Sequence, residues 1–285
     1  MLTRRAFLTS SGIVVIGATA PYLPATTTGH HRRLLFGSNN PACRQMHAAG
    51  IHVTACRTYL NSMPAAWPGD EVPPGVTAIT SFQPGPSVMT GGRDAHALDR
   101  FLPTVPDGTW LTAWHEGNLA AAKFWGDARQ FRRMHHLIHR KVRQLARPRV
   151  RYGVILSSWP VYSGQHQDVS PWVPAGMDFA AMDGYQRASD LTPRQIFGPV
   201  IAGIRRADSH VPLGITETNT WSHYSSAHMW YRDTFQYALD HNMIVYSTFW
   251  RTNVQSGSGL CPAFHPGAAY APQLRQAASQ AAQRG

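Results

Sequence analysis

The chain has 285 residues and a formal net charge of +11, from 26 Lys and Arg against 15 Asp and Glu. An apolar share of 43% with nine Trp excludes a disordered polyelectrolyte and calls for a sizeable core. Nearly all the cations are arginine, since lysine occurs only at Lys123 and Lys141, and the densest basic stretch is RRMHHLIHRKVRQLARPRVR. Because the remaining arginines are scattered, no nucleic-acid partner is expected. Adhesion to anionic wall polymers, or an arginine-preferring genome, explains the charge equally well.

From the amino terminus, MLTRRAFLTSSGIVVIGATA carries Arg4-Arg5, then Phe7-Leu8, then an apolar run from Ile13 to Ala20. The pattern resembles a twin-arginine export signal over residues 1–25, with a cut after Ala20 or Ala25. The apolar run is too short for a membrane anchor. A soluble, monomeric protein secreted or held in the cell envelope is expected, its single domain running from residue 30 to 285.

Short apolar runs then recur, each ending in polar or aromatic residues. Strands are predicted at 34–38, 51–59, 76–82, 109–116, 151–158, 178–185, 211–217 and 243–250. Runs such as YGVIL and MIVY are near-continuous apolar segments, as parallel strands covered on both faces require. Helices are predicted at 94–102, 127–147, 192–207, 226–241 and 271–282. Asp127 and Thr192 serve as caps, and Pro193 stands at a first helical position. The connections 61–75 and 159–176 are rich in Pro and Gly and read as irregular. Eight strands alternating with helices predict an α/β fold, a single (β/α)8 TIM barrel; an open doubly wound sheet is second, and no G-x-G-x-x-G or P-loop supports it.

The active site of such a barrel lies at the carboxyl ends of its strands. Those ends supply Asn39, Arg57 with Tyr59, the run Trp114-His115-Glu116 with Asn118, Trp159, Asp183 with Tyr185, Glu217, and Trp250. Hydroxyl-binding polar groups beside aromatic faces suit a sugar. The chain has only three glutamates, Glu71, Glu116 and Glu217, and two of them end strands three apart, facing each other across the mouth. Two opposed carboxylates are what glycoside hydrolysis needs. One such glutamate is as easily a rim ion pair. Asp183 reads as a substrate ligand or as a structural hydrogen-bond acceptor, and Trp67, Trp110 and Trp230 read as packing residues.

Glutamates ending strands four and seven of an eight-fold barrel resemble clan A of the retaining glycoside hydrolases. Within that clan W-H-E-G-N resembles the His-Glu-x-Asn segment of family 26, which contains β-mannanases, and L-G-I-T-E-T-N resembles its nucleophile segment. The resemblance implies Glu116 as acid/base and Glu217 as nucleophile. It further implies Tyr185 beside the nucleophile, His115 in the site and Trp250 as a sugar platform. Gly117 departs from the family, where Met is usual. Retention places the carboxyl groups about 5–5.5 Å apart. Glu217 is expected ionised, held by Tyr185 or Arg57, and Glu116 protonated at rest beside Trp114 and Trp125.

No cofactor or metal is expected. His135 and His139 have i, i+4 spacing but are read as a solvated face of a basic helix, without an adjacent carboxylate. The zinc-protease and G-x-S-x-G motifs are absent. A Cys43–Cys261 disulfide is expected, because both lie just after strands that neighbour each other in a closed barrel. Cys56 is read as a buried hydrophobe. The reading is an exported retaining hydrolase of a β-linked polysaccharide. The alternatives are a non-catalytic glycan-binding barrel of the envelope and a binder of anionic polymers.

Overall fold

The apolar runs become strands where they can bury both faces. In a computed structural model the described residues are 33–69, 72–119, 124–164, 168–186, 191–220, 224–249, 264 and 266–284. The strands are β1 (Leu35–Asn39), β2 (Ala55–Tyr59), β3 (Thr77–Phe82), β4 (Trp110–Ala113), β5 (Arg151–Tyr152), β6 (Val154–Ser157), β7 (Ala180–Gln186), β8 (Leu213–Thr220) and β9 (Val245–Thr248). All pair in parallel, in the order β5-β4-β3-β2-β1-β9-β8-β7-β6. The expected strand at 151–158 is interrupted at Gly153, where a Cβ would lie 2.3 Å from the Phe179 carbonyl oxygen. Its first half pairs with β4 and its second with β7, so both sheet edges belong to one chain segment. The result is a nearly closed (β/α)8 barrel.

Two apolar layers define which side of each strand faces inward. Leu35, Ala55, Ile79, Trp110, Ile155, Phe179, Ala181 and Val245 fill the lumen. Residues of the opposite parity, such as Phe36, Cys56, Leu111, Leu156, Met182 and Tyr246, pack outward beneath the helices. Each buried Leu, Val or Phe contributes roughly 1.5–3 kcal/mol.

The helices are α1 (Ala42–Ala48), α2 (Arg93–Phe101), α3 (Ala128–Leu145), the single turn α4 (Trp159–Tyr162), α5 (Pro193–Ala207), α6 (Tyr224–Asp240) and α7 (Ala271–Gln283). Helix α1 was not foreseen, because seven residues are too few to show a helical period. Asp127 caps α3 by accepting from the Gln130 amide at 2.8 Å, and Thr192 with Gln195 forms a capping box on α5. Residues 61–69 and 72–75 contain no helix, and 168–176 contain only a 3-10 turn at Ser170–Trp172.

Two expectations need correction. His135 is not solvated: it lies on the inner face of α3 with Phe131, Met134, Ile138 and Val142, and its Nδ1 is 3.0 Å from the Tyr152 hydroxyl. Burial, then the nearby His136, pushes its pKa to about 3, so the ring is neutral. His139 does have an adjacent carboxylate, with Nε2 3.6 Å from Asp178. Among the described residues no three potential ligands gather into a metal site. Cys43 is a buried thiol that donates to the Ala55 carbonyl at 3.6 Å, and Cys56 is buried as well. The expected Cys43–Cys261 bridge falls on Cys261, which lies outside the described residues, as do the export signal and Trp250. Among the described residues no helix is long and apolar enough to cross a membrane.

Candidate active site

Lumen parity carries Ala55 to Arg57 and Tyr59 on β2, and Phe179 and Ala181 to Asp183 and Tyr185 on β7. These four side chains converge with Glu217 of β8 at the carboxyl end of the barrel. Glu217 is 5% exposed. Its Oε1 accepts from the Tyr59 hydroxyl at 2.6 Å and its Oε2 from the Tyr185 hydroxyl. Arg57 Nε lies 3.4 Å from Oε1, within ion-pair distance but off the alignment of a hydrogen bond. The guanidinium is fully buried and is fixed by the carbonyls of Thr58 (3.0 Å) and Ile79 (3.2 Å) and by the Ser81 hydroxyl. A buried carboxylate is thus matched by a buried cation and two phenol donors, as its desolvation requires.

The electrostatics fix which groups carry protons. Burial, then the charge of Glu217, holds the Tyr59 and Tyr185 phenols well above their usual range, so both remain donors. Burial, then the charges of Glu217 and Glu116, holds Asp183 well above the usual carboxylate range. Asp183 is fully buried and accepts from the Thr216 hydroxyl at 2.6 Å. Burial, then the charge of Arg57, lowers His115 to about 4, leaving a neutral ring whose centroid is 5.4 Å from that of Tyr59. Its Nδ1 has no hydrogen-bond partner among the described residues.

The stretch after β4 differs from the expected strand at 109–116. Pairing stops at Ala113, and the chain coils through Trp114 (φ 49°) and Glu116 (φ 57°), left-handed conformations that cost about 1–3 kcal/mol each in non-glycine residues. The strain is held by barrel contacts. The Trp114 amide donates to Phe82 O at 2.9 Å, and the Glu116 amide to Ile155 O at 2.8 Å. Asn118 is 2% exposed, and its amide spans the same seam. Nδ2 donates to Ser157 O and Oδ1 accepts from the Ser157 amide, both at 2.8 Å. Its side chain therefore serves the barrel wall, where β4 and β6 do not pair directly. Gly117 packs on Phe131, with a Cβ position 2.3 Å from the ring, so a methionine has no room there.

The other expected residues are distributed unevenly. Asn39 ends β1 and is 3% exposed. Trp114 and Trp159 are half-buried; Trp114 Nε1 donates to Pro84 O at 2.7 Å, and Trp159 meets Tyr162 edge to face. The aromatic wall seen at the site is Phe249, edge-on to Tyr185 at 5.9 Å and Tyr59 at 6.4 Å. Trp67, Trp110 and Trp230 are packing residues, against Phe101, Phe179 and Phe197 respectively. Sequence reasoning passed over Tyr59 as a partner of Glu217. Its signal was the Arg57-x-Tyr59 spacing, which puts both side chains on one face of β2.

Barrel and mouth together define a class: a (β/α)8 protein with carboxyl groups, phenols and one buried arginine gathered at the strand ends. No family model and no curated protein matches the sequence. Solved structures of similar fold include a GH26 β-mannanase from Bacteroides ovatus (TM-score 0.61, 13% identity, covering 88% of this chain and 89% of that one). A glucosidase from Croceicoccus marinus matches with TM-score 0.59 and 14% identity over 90% of this chain and 69% of that one. A modular endo-β-1,4-mannanase from Cellulomonas fimi matches with TM-score 0.56 and 11% identity, over 86% and 70%. At such identities the likeness is one of fold.

Proposed function

We propose that the protein is a retaining glycoside hydrolase acting on a β-linked polysaccharide, such as mannan or a cell-wall glycan. The observation that carries this is the setting of Glu217: a buried carboxylate aimed into the mouth by Tyr59, Tyr185 and Arg57. Glu116 is near enough to this cluster to contribute to the raised pKa values of Asp183 and Tyr185. Similar barrels in a mannanase and a glucosidase add to the reading.

In this reading Glu217 attacks the anomeric carbon while Glu116 gives its proton to the departing glycosidic oxygen. Glu116 then takes a proton from the water that hydrolyses the glycosyl–enzyme. Tyr59 and Tyr185 orient the nucleophile, and the neutral His115 offers a ring nitrogen to a sugar hydroxyl. Phe249, with Trp114 and Trp159 at the rim, supplies apolar faces for sugar C–H groups. Arg4-Arg5 would direct the folded enzyme out of the cell, so replacing both with Lys should retain it inside.

The test is to incubate the protein with plant, fungal and bacterial-wall polysaccharides and follow the anomeric configuration of the products by NMR. Product of retained configuration, lost in Glu217→Ala and in Glu116→Gln, is expected. Parental rates in both variants would sink the assignment. Binding of a glycan without turnover would favour the non-catalytic barrel.

A further inference from the structure

Glu217 reaches the lumen because β8 breaks its own alternation. Leu213 and Ile215 pack in the outer layer, while the Cβ position of Gly214 meets Val245 of the lumen at 2.2 Å. Strict alternation would turn Thr216 inward and Glu217 outward, toward the apolar layer under α6. Instead the pairing with β7 shifts. Met182 opposes Ile215, but Asp183 opposes Glu217, leaving Thr216 as an extra residue. Two successive side chains, Thr216 and Glu217, therefore face the lumen. Regular order resumes at Thr218, whose Oγ1 accepts from Trp230 Nε1 of α6 at 3.2 Å. An inserted residue of this kind is a bulge, which re-aims the side chains beside it.

An extra residue adds no ladder bond, so something else must hold the shifted register. Thr216 and Asp183 are both fully buried, and the Thr216 hydroxyl donates to Asp183 Oδ1 at 2.6 Å across the two strands at the bulge. The other carboxyl oxygen of Asp183 has no partner among the described residues. Thr216 is thus the side-chain tie between β7 and β8 at the step where Glu217 turns inward.

We propose that Thr216 is a positioning residue for Glu217: as the inserted residue of the bulge it turns the Glu217 carboxylate into the lumen, and its hydroxyl, bonded to Asp183, holds that register. The catalytic consequence rests on Glu217 being the nucleophile; the placement itself does not.

The chain's three glutamates make the placement directly measurable. Labelling with glutamate enriched in 13C at the carboxyl carbon gives three side-chain resonances, assigned by Gln substitution. Thr216→Val keeps the shape and removes the hydroxyl, whereas Thr216→Ser keeps the hydroxyl. The Glu217 resonance should move in Thr216→Val, return in Thr216→Ser, and leave Glu71 unmoved. On an aryl glycoside that the unaltered protein turns over, Thr216→Val should lower kcat by about ten- to a hundredfold. KM should stay within about threefold, since orientation and not ground-state binding is lost. Where the valine variant does not fold, Thr216→Ala against Thr216→Ser makes the same comparison. A Glu217 resonance unchanged by loss of the hydroxyl overturns the proposal, as does a shifted resonance with unchanged kcat. If Glu217→Ala is as active as its parent, the enzymatic reading fails instead, and the resonance still decides the placement.

Discussion

Replacing Asn118 with Ala tests whether the end of the WHEGN stretch contacts sugar or holds the barrel shut. Asn118 exchanges two bonds with the Ser157 backbone at 2.8 Å each, at a seam where β4 and β6 lack direct pairing. Its truncation removes both bonds and leaves a buried N–H and C=O of Ser157 unpartnered. A net hydrogen bond is worth about 1 kcal/mol and an orphaned buried group costs about 1–3 kcal/mol, so a loss of roughly 2–5 kcal/mol is expected. For a domain of this size each kcal/mol lowers Tm by about 2–4 °C, giving a drop on the order of 10 °C. The assay is thermal and urea unfolding of Asn118→Ala and Asn118→Asp beside the parent. Ionised Asp accepts from the Ser157 amide but turns a buried charged oxygen toward the Ser157 carbonyl. It should therefore lose at least as much as Ala at neutral pH and recover part of the loss when protonated at low pH. A Tm within about 2 °C of the parent, with glycan turnover lost, would refute the structural role and return Asn118 to the substrate.

Further predictions concern charge and packing. His115 and His135 have pKa values lowered to about 4 and about 3, so the unfolded chain binds more protons than the folded one between those values and 6.5. Their contribution is complete above about pH 6.5 and is lost as pH falls toward 4 and 3, at up to about 1.4 kcal/mol per unit for each ring. Asp183, raised in the fold, acts with opposite sign, so the informative comparison is the urea midpoint of His135→Gln against its parent from pH 7 to 4.5. The variant should lose part of the acid sensitivity, and an unchanged slope would count against a buried neutral ring. Tyr59→Phe and Tyr185→Phe should each destabilise by about 1.5–3 kcal/mol in urea, because both phenols donate to the Glu217 carboxylate. The double variant should depart from additivity, and strict additivity would contradict a shared acceptor. Gly117→Met, which installs the residue usual in family 26, should cost about 1–3 kcal/mol by crowding Phe131, and an unshifted Tm would refute that contact.

Local pattern determined the strands and most of the long helices, because burial between two layers needs apolar runs and capped amphipathic segments, and both are written residue by residue. It also put Glu116 and Glu217 near strand ends, though in the structure Glu116 lies three residues past β4 and Glu217 three residues short of the end of β8. Only the tertiary structure decided what those ends do. The split at Gly153 joins the two edges of the sheet, and Asn118 is drawn into that seam although nothing near it in the chain marks Ser157 as its partner. His135 turned inward because Tyr152 and Phe131, not its basic neighbours, define that face of α3. Glu217 faces the lumen because the pairing of β8 slips by one residue against β7. Register is a relation between strands distant in the chain, and one step of it reverses the direction of every side chain beyond.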